Sequence, residues 1–176
     1  MTIATAAAWR SAEPGRLLPS KPGDVDTSAL VPVGTVAKFV HPSYGPADFI
    51  YLLGVASTVA GDPVTFNGTT YATTRGITAA GIPDVVVFAS GATVASTYGW
   101  YQMTGQIETN KTKTVTMAAG IAVGISTAGL IAVSSSLKEL LGAKVAINAS
   151  ATTTTLNGGK VVLNAPRGVI MQGRFS

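Results

Sequence analysis

The chain contains no cysteine, which excludes disulfide staples, thiolate metal sites and thiol nucleophiles. Its single histidine, His41, likewise excludes a metal cage or catalytic dyad built from histidines of one chain. Charge is scarce. Only 11% of residues are charged, against a typical ~25%, while Ala, Thr, Gly, Ser and Val dominate. So few charges hydrate a free monomer's surface poorly, which points to an assembly in which neighbouring subunits cover part of it.

What charge there is lies unevenly. Through residue 108 the signs nearly balance, whereas from residue 109 onward Lys111, Lys113, Lys138, Lys144, Lys160, Arg167 and Arg174 face Glu139 alone. A basic C-terminal third suggests an acidic partner surface. These cations are scattered and no aromatics interleave with them, so nucleic-acid recognition is not expected. The opening "MTIATAAAWRSAEPG" lacks a basic start followed by an apolar core, so a secretory signal peptide is not expected either.

The 176 residues suffice for one domain with a real core and an appendage. Residues 1–30 read as an extended arm, punctuated by Pro14, Pro19 and Pro22 with Gly15 and Gly23. Proline fixes φ and removes a donor, so neither helix nor central strand suits that stretch. Trp9, Leu17, Leu18 and Leu30 are spaced along it as apolar anchors that order against another surface. Residues 31–176 read as a β-rich domain. "TVAKFVHP", "DFIYLLGVAS", "DVVVFAS" and "STYGWYQMTGQIE" are β-branched and aromatic runs bounded by Gly and Pro. Asn67-Gly68 and Asn157-Gly158 are hairpin signals. Strands about ten residues apart with Gly-rich turns predict a β-sandwich or β-barrel-like domain. One short helix is expected in "SSSLKELLGAK", with Ser136 as N-cap, Glu139 at the capping-box position and Gly142 as the stop.

The most apolar run, "AAGIAVGISTAGLIAV" over 118–133, is about long enough with its upstream extension to cross a bilayer. Its large residues alternate, however: Ile121, Val123 and Ile125 are separated by Ala122 and Gly124. Period two, with "STAG" as a turn, predicts a pair of strands and no membrane span.

Reactive constellations are thin. Ser135-Ser136-Leu137-Lys138 matches S-x-x-K, but its partner motifs are absent and the serines serve better as helix caps. "GISTAG" lacks the second glycine of a nucleophile elbow, and no Walker or dinucleotide fingerprint occurs. His41, beside Pro42 in a turn, reads as a solvated or interface residue. No enzyme activity, cofactor, metal or small-molecule substrate is expected.

Two blocks carry a resemblance. "GTVAKFVHPSYGPADFIYLLGVAST" over 34–58 resembles the opening of the main domain in tailed-bacteriophage capsid decoration (cement) proteins. Tyr98-Gly99-Trp100-Tyr101-Gln102, within 92–106, is similar to that family's Y-G-W-Y-Q-x-x-G strand, and the "GIAVGISTAGLIAV" region also fits in order and spacing. The resemblance spans residues 34–133 and leaves out the arm and the basic C-terminal third. It implies a non-enzymatic domain of the β-tulip type on the outer surface of the phage capsid. Its implied partners are the major capsid protein and further copies of itself, in a trimer. Trp9, Leu17, Leu18 and Leu30 are then the capsid-contact candidates. Tyr98, Trp100 and Tyr101 are candidates for either a subunit interface or the domain core. The rival readings are a minor capsid or head-fibre base protein, a membrane association through 115–133, and a serine hydrolase.

Overall fold

The computed structural model describes residues 9–13, 17–75, 85–112, 116–126, 130–133, 139–146, 148 and 155–163. Among them are twelve strands and no helix. The first sheet contains β1 (Arg10–Ser11), β2 (Val36–His41), β3 (Gly45–Leu53), β4 (Pro63–Phe66), β5 (Thr73–Thr74), β6 (Val86–Ala89) and β7 (Tyr98–Gln102). Their order is β1-β2-β3-β7-β6-β4-β5. The second contains β8 (Gly105–Asn110), β9 (Ala122–Ile125), β10 (Ile131–Val133), β11 (Glu139–Val145) and β12 (Thr155–Leu163), ordered β10-β9-β11-β12-β8. Every strand pair in both sheets is antiparallel.

Alternation along the strands sorts the first sheet into two apolar faces. Phe39, Phe49, Tyr51 and Trp100 lie on one face, and Ile50, Leu52, Val64, Val87 and Tyr101 on the other. The rings of the first face meet edge to face. Phe39 lies 5.4 Å from Phe49 and 5.2 Å from Trp100, and Tyr51 lies 5.2 Å from Trp100. Such pairs contribute about 0.5–1.5 kcal/mol each beyond their buried area. Val86 and Phe88 of β6 pack with Ile107, Val123, Ile125, Ile131 and Leu140, so the second sheet closes over that end of the first.

The chain crosses between sheets in two residues, Met103 and Thr104. Gln102, 2% exposed, ends β7 and directs its amide into the corner, donating to the Thr104 and Gln106 carbonyls at 2.8 Å each. Asp48 of β3 fastens the other side. Its carbonyl accepts the Met103 N–H, and its carboxylate accepts the Thr104 hydroxyl at 2.9 Å. Gly105 then opens β8 at φ +88°, where a Cβ would stand 2.8 Å from the Pro46 carbonyl oxygen.

Several expectations are corrected. The helix over 136–142 does not form as read: Glu139–Val145 is β11, paired with β9 and β12, while 134–138 lie outside the described residues. A leucine cluster this short cannot offset helix nucleation alone, whereas pairing buries Leu140, Ala143 and Val145 beside Val123 and Ile125. Gly142, at φ +81°, lies where the β11–β9 register shifts and serves as a bulge residue, not a helix stop. Among the described residues neither sheet closes into a barrel. One isolated bridge, Lys111↔Ile131, touches the two edges of the second sheet without making them a strand pair. Asn157-Gly158 makes no hairpin, since β12 runs through it. Between Thr155↔Asn110 and Lys160↔Glu108, β12 advances five residues and β8 two, so the Asn-Gly-Gly run falls in an irregularity.

The 118–133 run forms β9 and β10, antiparallel, with Val123 and Ile125 buried; Ile121 falls outside the strand and is 36% exposed. No helix of the described residues is long and apolar enough to cross a membrane. Asn67 does turn a hairpin between β4 and β5, through the longer loop 67–72, its carboxamide oxygen accepting the Thr69 and Thr70 N–H groups.

Gly105→Ala and Gly45→Ala separate backbone strain from crowding at the same conformation. Gly45 has φ +75° and open space around its Cβ position, so its substitution should cost about 1 kcal/mol. Gly105→Ala adds the clash with Pro46 and Ala47 and should cost about 2–4 kcal/mol in urea denaturation.

Candidate functional site

The arm is docked where the β2–β3 hairpin meets the second sheet. β2 ends at His41, Pro42–Tyr44 turn the chain, and Gly45 begins β3 opposite His41. A glycine with positive φ after three loop residues is a standard hairpin closure. The turn throws Tyr44 back over His41, with stacked rings 4.3 Å apart, and the Ser43 N–H donates to His41 Nδ1 at 3.0 Å. Trp9 closes the cluster from the arm, edge-on to His41 at 5.0 Å and to Phe49 at 4.8 Å. Arg10 and Ser11 then pair with Val40 and Phe39, and the Ala12 N–H donates to the Lys38 carbonyl at 2.9 Å. His41, expected to be solvated or at an interface, is 5% exposed within this aromatic clasp.

Beside the clasp lies a cavity of about 30 Å³ lined by Trp9, Tyr44, Ser90, Gln102 and Glu108, among others. It is water-sized, far below the ~300 Å³ at which ligand pockets begin. The Tyr44 hydroxyl crosses it to donate to Glu108 Oε1 at 2.5 Å, tying the hairpin turn to β8. A second polar tie joins the sheets at Asp62, 1% exposed. Its carboxylate pairs with Arg75 at 2.8 Å and accepts the Asn110 amide at 2.9 Å and the Val59 N–H at 3.1 Å. These groups hold chain to chain. Among the described residues no cluster of three or more His, Asp or Glu is placed to hold a metal.

The sequence-selected residues separate. Trp9, 7% exposed, is the arm's anchor on its own domain, and Leu18 packs half-buried against the same cluster. Leu17 is 97% exposed and Leu30 46%. Trp100 and Tyr101 are fully buried on opposite faces of the first sheet, which puts them in the core of this chain. Tyr98 is half-buried and stacks on Tyr51 at 6.2 Å, where Asp26 of the arm bridges to its backbone. Ser135 and Ser136 lie outside the described residues. Outward from the β1–β2 edge, Val36 and Val40 are 52% and 39% exposed around Lys38, which pairs with Asp48 at 3.7 Å.

No family model, curated protein or solved structure matches this chain.

Sequence reading passed over Tyr44, Glu108 and the Asp62–Arg75–Asn110 group. An aromatic in a tight turn was the only local signal for the first; the others meet across long separations. Lys111 is also buried, its ammonium donating to the Thr112 carbonyl at 3.0 Å, and burial lowers its pKa.

Three of the five tyrosines hold their protons beyond the ordinary range. Burial, then the bond to Glu108, pushes Tyr44 up to about 12. Burial and the Asp26 carboxylate, bonded at 2.6 Å, raise Tyr51. Burial raises Tyr101 against the opposing Thr93 and Thr73 hydroxyls. Because the folded state keeps protons that the unfolded chain releases above its pKa of ~10, their stabilisation is complete below that pH and declines above it. Ultraviolet titration of native protein should show three late phenols. Tyr44→Phe should remove one of them and make the alkaline loss of stability shallower by one proton.

Proposed function

We propose that this chain is a structural virion protein. It binds the outer surface of an assembled phage capsid as a homotrimer, bridging major capsid subunits and stabilising the expanded head. The observation that carries the reading is a set of exposed aliphatic side chains on the arm and on β2: Leu17 stands almost wholly in solvent, and Leu30, Val36 and Val40 are exposed. In a chain with 11% charged residues, such side chains fit a surface that another protein covers. The blocks that resemble decoration proteins fall on β2, β3 and β7, three adjacent strands of the first sheet. That similarity therefore concerns the scaffold, and the exposed aliphatics supply the contact.

Binding an assembled lattice stabilises it by mass action, and several modest contacts joined in one oligomer gain avidity. The arm's inner residues belong to the fold, so deleting 1–30 would remove Trp9, β1 and the Asp26 bridge together. Exposed positions make the cleaner test. Purified protein mixed with undecorated capsids should appear as stoichiometric density on the outer lattice. Leu17→Asp with Leu30→Asp should weaken that binding at least about 10-fold while leaving the thermal midpoint unchanged, since about 1.4 kcal/mol of lost contact is a factor of ten. Capsids left bare by the full-length protein would overturn the reading.

A further inference from the structure

The first described residues of the arm are held by a small and self-contained footprint. It consists of the ladder partners Arg10↔Val40 and Ser11↔Phe39, the Ala12 N–H on the Lys38 carbonyl, and the Trp9 indole against His41 and Phe49. The β2–β3 hairpin supplies this receptor, so any copy of the chain offers the same groove. Downstream the arm is fixed again, by Leu18 on the aromatic cluster, by the Lys21–Asp24 turn, and by the paired backbone bonds of Asp26 with Tyr98 at 2.9 and 2.8 Å. Five residues, 13–17, separate the two attachments in the sequence, and Leu17 among them is 97% exposed. Five residues of backbone span at most ~17 Å, which bounds how far the terminal segment can stand from Leu18.

We propose that Trp9–Ala12 is an exchangeable strand: in the oligomer, this segment of one copy docks on β2 and the His41–Phe49 groove of the next. The inference rests on the self-association in the reading above and assigns its joint. The occupant is chemically fixed, because the groove already fits this segment. Exchange restores on the partner every contact that opening breaks, which is why swapped elements are a low-cost route to oligomers. A strand edge is also where another chain can add a backbone ladder. Each copy gives its arm to the next and receives one, a head-to-tail arrangement that closes into a ring.

The absence of cysteine makes the test clean. Arg10 and Val40 are opposed ladder partners, within the Cα separation a disulfide spans. Arg10→Cys on one chain and Val40→Cys on a second chain of different length are mixed reduced, incubated and then oxidised. A mixed disulfide several-fold more abundant than with a Thr69→Cys partner chain, whose cysteine lies on an exposed loop, is the expected result. Trp9→Ala, its fold checked by circular dichroism, should lose the oligomer in light scattering. If the wild type is oligomeric but the mixed disulfide does not exceed the control, exchange is overturned and the decoration reading stands. If the wild type is monomeric as well, the self-association falls with it.

Discussion

The two-residue corner between β7 and β8 governs how the rest of the molecule is placed. Gln102 is opposite Phe49 on one side and Phe88 on the other, so it belongs to the centre of the first sheet. Three residues later Gly105 is already paired with Leu163 in the second. A chain turning this sharply leaves half-buried backbone groups outside the strand ladders, and these need other partners. The Gln102 carboxamide and both ends of Asp48 provide them. Gly105 is required because the Pro46 carbonyl occupies the space of a side chain. With this corner set, Ile107 points at Phe88, and the second sheet inherits its position over β6.

The polar ties between the sheets do a different job from the apolar core. Burying Val123 or Ile131 against Phe88 is favourable but non-directional, and many neighbouring registers would bury similar area. Asp62 is selective. A carboxylate with 1% exposure is tolerable only where Arg75, Asn110 and the Val59 N–H converge on it. The Thr109 hydroxyl and Asn110 N–H, both donating to the Gly61 carbonyl, extend the same seam. A chain with few charges thus places one ion pair at the join between its sheets.

Strand content was legible because it follows from local pattern. β2, β3, β6 and β7 coincide with the β-branched and aromatic runs, and the alternation of Val123 and Ile125 distinguished paired strands from a membrane helix. The errors arose where a local signal met a long-range pairing. Leu137, Leu140 and Leu141 have helical spacing, but Glu139–Val145 is claimed by β9 and β12 on its two sides. Asn157-Gly158 has turn chemistry, yet glycine also permits the bulge that lets β12 continue. Of the arm's anchors, sequence gave no means of telling Trp9, which faces inward, from Leu17, which faces out. Their difference is set by Phe49 and His41, some thirty to forty residues away. Tyr44 and Glu108 meet across 64 residues, a proximity no local pattern encodes.

The arm is divided between side chains that complete the fold and side chains that stand in solvent. Trp9 and Leu18 complete a face of the first sheet that would otherwise expose the rings of Phe49 and Phe39. Leu17 lies between them and contributes nothing to that face. Successive residues of an extended chain point to opposite sides, so one strip of backbone can seal its own core with one side and offer aliphatic anchors with the other. Pro19 and Pro22 fall in a bend and in the Lys21–Asp24 turn, where a residue without an N–H leaves no ladder bond unmade. Ordering by the domain itself also removes most of the entropy cost a disordered tail would meet on binding. Any contact that the proposed binding made through Leu17 or Leu30 would draw on side chains whose backbone is already ordered.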